Sequence, residues 1–494
     1  MLRKLTTVIL LLLATGAHAH GNLKFVNGLW FNGTAFEKKT MYAVENVFRD
    51  VYDGEATVVD LAGKYVVPPF GDAHNHALAD SANADEQLAR YLRAGIFYVK
   101  NPNNSPSLTA PIRARMNTPE TVDVIYANGG LTRTGGHPSQ LYTRLGKRFD
   151  DAYTTVDSKA DLDRKWPALL ATKPDFLKIY LEHSDDAKAN RGLDAALVPA
   201  IVARAHRDGL RVSAHVTSAA DFRTAVTAGV DEITHLPLAP LTAADAEMAK
   251  KKNVTVVTTV LSHRPNEGFI AHAANLTMLK RAGVNVILGV DNDPTVVDEA
   301  LAVAHLGVHT NAELLRMLTE ATPRAIFPAR KIGRLENGFE ASLLALDANP
   351  LDDLAALRRV SVRVKQGHII QLAAAKPPVI DALSPILMTK GLDAAIAEYH
   401  RLAAEEPARW DFREPQLNTL GYALLNHGQH DSAIAIFKLN AEKFPASSNV
   451  WDSLAEAYMK AGRKELAIAN YRKSLELNPH NDNAAAMLKK LLGD

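Results

Sequence analysis

His74 and His76 close the run Val66-Val67-Pro68-Pro69-Phe70-Gly71-Asp72-Ala73-His74-Asn75-His76 and are the first residues of the chain that could do chemistry. The apolar lead-in reads as a strand, where residues i and i+2 share a face about 6–7 Å apart along the backbone, so the two imidazoles can grip one metal ion. Four more polar side chains sit in or just after apolar runs. They are Lys178 in Asp175-Phe176-Leu177-Lys178-Ile179-Tyr180-Leu181, His215 after Val212-Ser213-Ala214, His235 after Ile233-Thr234, and Asp291 after Leu288-Gly289-Val290. Cysteine is absent, so disulfides, thiolate ligands and a Cys nucleophile are excluded, and a metal must be held by His, carboxylate or a modified side chain.

These six residues matter only if the intervening elements bring them together. From residue 194 onward, helix and strand alternate. Helical apolar spacing at Leu197, Ile201 and Ala205 over 194–208 ends at Gly209 and feeds a strand over 210–216. The unit repeats as helix 219–228 with strand 230–235, helix 243–252 with strand 254–261, and helix 276–282 with strand 284–290. Earlier strands fit 95–100, 122–127 and 176–181. Counted from Val66 this gives eight strands over about 260 residues, the size of a (β/α)8 TIM barrel. In such a barrel chemistry sits at the C-terminal ends of the strands, where the six polar residues fall. An open doubly wound sheet is the rival architecture, but no Gly-rich phosphate loop follows any strand.

The flanks are β-rich. Leu23-Lys24-Phe25-Val26 precedes Asn27-Gly28, then come runs over 43–48 and 57–60; a second patch covers 341–347 and 360–364, with the turn Gln366-Gly367-His368. The expected fold is therefore α/β, a TIM barrel over 68–334 with a small β-sandwich built from both flanks, 20–67 and 335–375.

The order Asp72-x-His74-x-His76, Lys178, His215, His235, Asp291 resembles the amidohydrolase superfamily of metal-dependent hydrolases over roughly residues 22–372. The loop Thr134-Gly135-Gly136-His137 and the stretch 175–179 resemble its imidazolonepropionase-like and prolidase-type branch. The resemblance implies two metal ions bridged by a carboxylated lysine. A lysine ammonium cannot ligate a cation, but addition of CO2 to the neutral amine gives a carbamate, so Lys178 would bridge two ions about 3.5–4 Å apart. His74, His76 and Asp291 would complete one ion and His215 with His235 the other, a set suited to Zn2+ or another divalent metal. A bridging water would ionise near neutrality, with Asp291 passing its proton to the leaving group. His137 would be a catalytic, substrate-side donor to a carbonyl or carboxylate, against the alternative of a plain loop histidine.

Three features depart from the family pattern. Pro69 stands where Gly is usual, Val216-Thr217-Ser218 follows His215 in place of an aromatic, and Ile179-Tyr180-Leu181-Glu182-His183 follows Lys178 without the usual small-residue turn. The second puts dipeptide specificity in doubt. Glu182 and His183 are read either as substrate contacts or as a surface loop.

The 494 residues are 47% hydrophobic and 22% charged with a net charge of +1, which gives no reason to expect nucleic acid or a membrane surface as partner. Residues 1–19 read as an export signal: Arg3 and Lys4, a short apolar run over 5–14, and Ala17-His18-Ala19 before the cut. The mature chain is expected in a periplasm or outside the cell, with no membrane contact after cleavage. From about Pro378 the chain turns helical and repeats: Leu417, Leu420, Gly421, Ala433, Phe437 and Pro445 recur 34 residues later as Trp451, Leu454, Ala455, Ala467, Tyr471 and Pro479. This resembles tetratricopeptide repeats over 379–494, with a degenerate earlier copy at Ala395, Tyr399 and Pro407. Such a tail packs on its own barrel or a sister subunit in a homo-oligomer, or captures a protein or peptide partner. The expected activity is hydrolysis of an amide, peptide-like or cyclic amide bond in a small molecule. Its alternatives are a lactonase or esterase using the same metals, or an idle barrel carrying a repeat-based binding protein.

Overall fold

The computed structural model describes residues 21–79, 84–139, 141–142, 150–183, 192–262, 269–291, 295–372, 376–479 and 481–493; the expected leader lies outside them. The N-terminal flank forms β1 (Leu23–Phe31), β2 (Phe36–Val44), β3 (Val47–Arg49), β4 (Thr57–Asp60) and β5 (Tyr65–Val67). Asn27-Gly28 lies inside β1 as a bulge, with Asn27 at φ 60 and a register shift between Phe25 and Gly28. The run 43–48 is not one strand but a hairpin, because Glu45 and Asn46 both take positive φ (50 and 67) and reverse the chain between β2 and β3.

Ten parallel strands follow: β6 (Phe70–Asp72), β7 (Ile96–Asn101), β8 (Asp123–Tyr126), β9 (Gly130–Thr132), β10 (Tyr153–Thr155), β11 (Leu177–Leu181), β12 (Val212–Val216), β13 (Glu232–Thr234), β14 (Thr255–Val257) and β15 (Asn285–Ile287). They lie in two arcs, β6-β7-β8 and β10-β9-β11-β12-β13-β14-β15. The expected third strand, 122–127, is β8, and positive φ at Asn128 (53) and Gly129 (91) then turns the chain into β9, so 123–126 pairs in the small arc and 130–132 in the large one. At the other seam Ala73 N–H donates to Leu288 O (2.9 Å) and Asp291 N–H to His74 O (2.7 Å). Helices cover the strands in a TIM-barrel-like arrangement around one large apolar core. The expected helix 219–228 has those bounds, its end set by Gly229 at φ 87. Several boundaries differ, the helix expected from 194 beginning at Val198 for one. The helix expected from 276 begins at Phe269, and the strand expected to run to 261 ends at Val257 before a 3-10 turn over Val260–Ser262.

The C-terminal flank adds β16 (Leu343–Leu346), β17 (Val360–Lys365) and β18 (His368–Ile369), which join the first five strands in one sheet, β18-β17-β16-β5-β1-β2-β3, with β4 on β1. The sheet curls: Phe48 N–H donates to Phe339 O (2.7 Å) and Ala341 N–H to Asn46 O (2.8 Å). Its core holds Phe25, Trp30, Met41, Phe48 and Leu343. Because β5 runs straight into β6, this sheet anchors the strand that leads into His74 and His76, which lie past its end at Asp72 and not on the strand itself as expected.

Among the described residues seven helices follow, including the hairpins Glu414–Asn426 with His430–Lys443 and Ser448–Lys460 with Lys464–Leu477, and a last helix Asp482–Leu492. The recurring residues Leu417, Leu420, Ala433, Phe437, Leu454, Ala455, Ala467 and Tyr471 lie in a separate core. A Cβ on Gly421 would lie 2.5 Å from the Phe437 ring, so only glycine lets these two helices meet there. The expected spacer and linker pair with one another, Asp411 N–H to Pro377 O (2.9 Å) and Val379 N–H to Asp411 O (3.1 Å). Arg413 reaches Glu86, on the helix Ala84–Ala94, at 2.6 Å. Among the described residues no helix is long and apolar enough to cross a membrane.

Candidate metal centre

The register of the large arc stacks its inward side chains in layers. Lys178 pairs with Ser213 and Ser213 with Glu232; one step higher, Tyr180 pairs with His215 and His215 with Thr234. Lys178 is buried and its amine donates to Thr234 Oγ1, which donates in turn to Ala214 O (3.1 Å). In the lower layer a second buried lysine, Lys100, donates to Glu232 Oε1 at 2.6 Å, and Ser213 Oγ donates to the same oxygen at 2.9 Å. This buried ion pair was not foreseen from the sequence.

His235 follows the inward Thr234, and strict alternation would turn it away from the barrel axis. Its φ of 77 breaks the alternation; the ring comes within 4.8 Å of His74 and 4.5 Å of His215, and its Nδ1 lies 2.7 Å from Thr259 Oγ1. Asp291, at φ 71, sets one carboxylate oxygen 3.0 Å from His74 Nε2 and 3.2 Å from His76 Nε2. Asp72 does not join them. It is buried, and its oxygens accept the N–H groups of His74 (3.2 Å) and Val290 (3.2 Å) and the amide of Asn75 (3.1 Å), tying β6 to the residue before Asp291. Gly289 lets the strands close up: a Cβ there would lie 2.7 Å from Val257 and 2.8 Å from His74.

Burial governs the electrostatics. It drives the His74 imidazole down to about 3 and His215 well below the usual range, with Lys178 adding to both, so each ring is neutral and can offer a lone pair. Burial also brings the Lys178 ammonium down to about 7, against the pull of Glu232. It would raise Asp291, but the hydrogen bonds from His74 and His76 outweigh it and hold that carboxyl well below the carboxylate range. Burial lifts Asp72 to about 7 despite its three donors.

At this cluster two buried ring nitrogens, His74 Nδ1 and His215 Nε2, have no hydrogen-bond partner. The unpaired His215 nitrogen and the two histidines that meet the Asp291 carboxylate through Nε2 form a donor set that fits a divalent cation. His74, His76 and Asp291 have ligand atoms within 4.8 Å of one another. His137, Glu182 and His215 form a second such group. There the geometry is less favourable, because His137 and His215 stack at 21° with centroids 4.6 Å apart and their in-plane lone pairs run nearly parallel. The pairs His74–His76 and His215–His235 stand at 78° and 72°, so their lone pairs can converge.

The structure thus brings His74, His76, Lys178, His215, His235 and Asp291 to one end of the arcs, with His137 beside His215. Glu182 points inward and its carboxylate lies 3.0 Å from His137 Nδ1. The signal was in the sequence: 178, 180 and 182 alternate onto one face. His183 turns away, its ring held by Asp221 (2.5 Å) and Leu193 O (2.6 Å) as a structural latch.

Residues 186–370 match the model of the amidohydrolase family, a span that contains His215, His235 and Asp291, and 448–481 match the tetratricopeptide repeat. An ochratoxinase of Aspergillus niger is 28% identical over 211 residues, 38% of this chain and 43% of that protein, so the chain spans less than half the length of this curated relative. Solved structures with the same fold include the A. niger ochratoxinase (TM-score 0.60, 17% identity, 71% of this chain and 95% of that one). A Xaa-Pro dipeptidase with methionine in its active site is similar at TM-score 0.60 and 17% identity, over 71% of this chain and 100% of the other. A prolidase complexed with N-methylphosphonate-L-proline aligns at TM-score 0.58 and 20% identity, over 71% and 100%.

Proposed function

Taking the chain as the carrier of an amidohydrolase-family domain followed by a tetratricopeptide repeat, we propose that it hydrolyses an amide, peptide-like or cyclic amide bond of a small molecule. In this reading the two arcs close into one barrel, the curled sheet folds on itself as the flanking sandwich, and residues 1–19 direct export. His74, His76 and Asp291 would hold one divalent cation and His215 with His235 a second, with a carboxylated Lys178 as a further ligand; Zn2+ suits the donors. Bound there, the ions would polarise the scissile carbonyl and acidify a water.

The observation that carries this reading is the convergence of His74 and His76 on the Asp291 carboxylate above a buried lysine brought down to about 7. At that value much of Lys178 is neutral amine at neutral pH, the form that adds CO2: the nitrogen bonds to carbon, one proton leaves, and a carbamate anion results. Asp291, ionised despite its burial, takes a proton from the attacking water and returns it to the leaving nitrogen. His137, stacked on His215 and 5.2 Å from the Tyr180 ring, meets the substrate from the side. The ochratoxinase and prolidase likenesses support an acyl–nitrogen bond as the target.

The deciding experiment measures metal content and hydrolysis together, against dipeptides, N-acyl amino acids, lactones and hydantoin-like rings. About two equivalents of metal with turnover of an amide supports the proposal. Metal-replete protein inert to every bond offered refutes it.

A further inference from the structure

Glu182 stands where the resemblance to the imidazolonepropionase-like branch puts a small-residue turn, and its placement is built in. It shares the inward face with Lys178 and Tyr180, and the next residue, His183, is latched to Asp221 and Leu193 O. Its carboxylate meets His137 Nδ1 at 3.0 Å, with both side chains still partly open to solvent at 25% and 20%. His137 is meanwhile fixed from two other sides, by the stack on His215 and the lean on Tyr180. Whatever proton His137 carries, the pair holds one more negative charge than the imidazole alone, and at the mouth of a barrel that charge is screened less than in open water.

We propose that Glu182 is a specificity-determining residue, which selects against substrates that bring a carboxylate to His137 and favours those that bring a neutral amide or ester there. The inference rests on the reading of His137 as a substrate-side group. It narrows the substrate class to compounds whose group beside the scissile bond is uncharged. Glu182 already engages Nδ1, so a substrate group brought to the other side of the ring sits one imidazole away from the carboxylate. An anionic group at Nε2 would lie across one ring from a second carboxylate, a repulsion that a neutral group escapes.

The test uses N-acetyl-leucine and its primary amide as a matched pair. Dissociation constants come from calorimetry on the metal-loaded full chain, so the answer does not depend on turnover; kcat/KM is measured alongside. The expected result is that Glu182→Gln, which keeps the shape, and Glu182→Ser each shift the carboxylate-to-amide ratio of affinities about tenfold or more towards the carboxylate. In a His137→Gln background the shift should shrink to less than about twofold. A ratio unchanged by both Glu182 variants overturns the proposal, as does a shift that persists without His137. Failure of both compounds to bind wild type and variants alike also overturns it. Binding with the expected shift but no hydrolysis would leave Glu182 in this role and remove the hydrolase assignment instead.

Discussion

Asp72 Oδ1 accepts the backbone N–H of Val290, 218 positions away in sequence, at 3.2 Å. The same oxygen accepts the His74 N–H, so one buried carboxyl sets the distance between the His74-His76 segment and Asp291. Asp72→Ala leaves buried donors unpaired at about 1–3 kcal/mol each, enough to lower Tm by several degrees in a chain of this size. Metal content should fall with it. Asp72→Asn retains an acceptor and should lose less of both; equal stability of the Ala variant and wild type would refute the clamp.

Lys178→Ala should abolish turnover and reduce bound metal from two equivalents to about one or none. A short carboxylic acid, added in excess, should restore part of the activity by standing in for the carbamate. Full activity of Lys178→Ala without additive would exclude a bridging role.

His215→Ala and Asp291→Ala should each reduce kcat by about 10³ or more while circular dichroism and Tm stay near wild type. The fold survives because Asp291 lies beyond the end of β15 and His215, although paired within β12, is not part of the apolar core. Near-full turnover in either variant would break the assignment for that residue.

Gly289→Ala places a methyl 2.7–2.8 Å from Val257 and His74, so something must move. Overpacking of this kind costs about 1–3 kcal/mol, and the part that yields is the metal-binding segment. Weaker metal retention, measured by dialysis against a chelator, should accompany the lower Tm.

The His183 latch makes a pH-dependent contribution. The hydrogen bond to Asp221 raises the imidazole above its ordinary value, so the folded chain holds the proton more tightly than the unfolded one. That stabilisation is complete below the unfolded value of about 6.5 and fades as pH rises through the higher folded value. The Tm advantage of wild type over His183→Gln should therefore be larger at pH 5.5 than at pH 9. An advantage that grows with pH would contradict the latch.

Much of the site was legible because its residues end apolar runs. The spacing of His74 and His76, and the close of the runs before His215 and Asp291, needed only the period of a strand. Glu182 was harder. It belonged to the same alternation as Lys178, but the chain beyond Leu181 reads as loop, and periodicity is not usually followed past a strand's end. The inward turn of His235 depends on a left-handed backbone that composition does not announce, and so does the kink at Asn128 and Gly129. The hairpin at Glu45 and Asn46 was missed for a related reason: neither residue is the glycine that usually marks such a turn. Lys100 and Glu232 looked like ordinary strand residues, and only the register brings them together.

His235 and Asp291 hold φ angles of 77 and 71, a conformation glycine adopts freely and other residues only under constraint. Each such position costs about 1–3 kcal/mol. A polypeptide selected solely for heat resistance would put glycine at both and gain a sturdier scaffold with nothing to catalyse. Engineers hardening this protein should therefore work on its outer sheet and helical tail, since the simplest thermal gains among the parallel strands coincide with the residues proposed to hold metal.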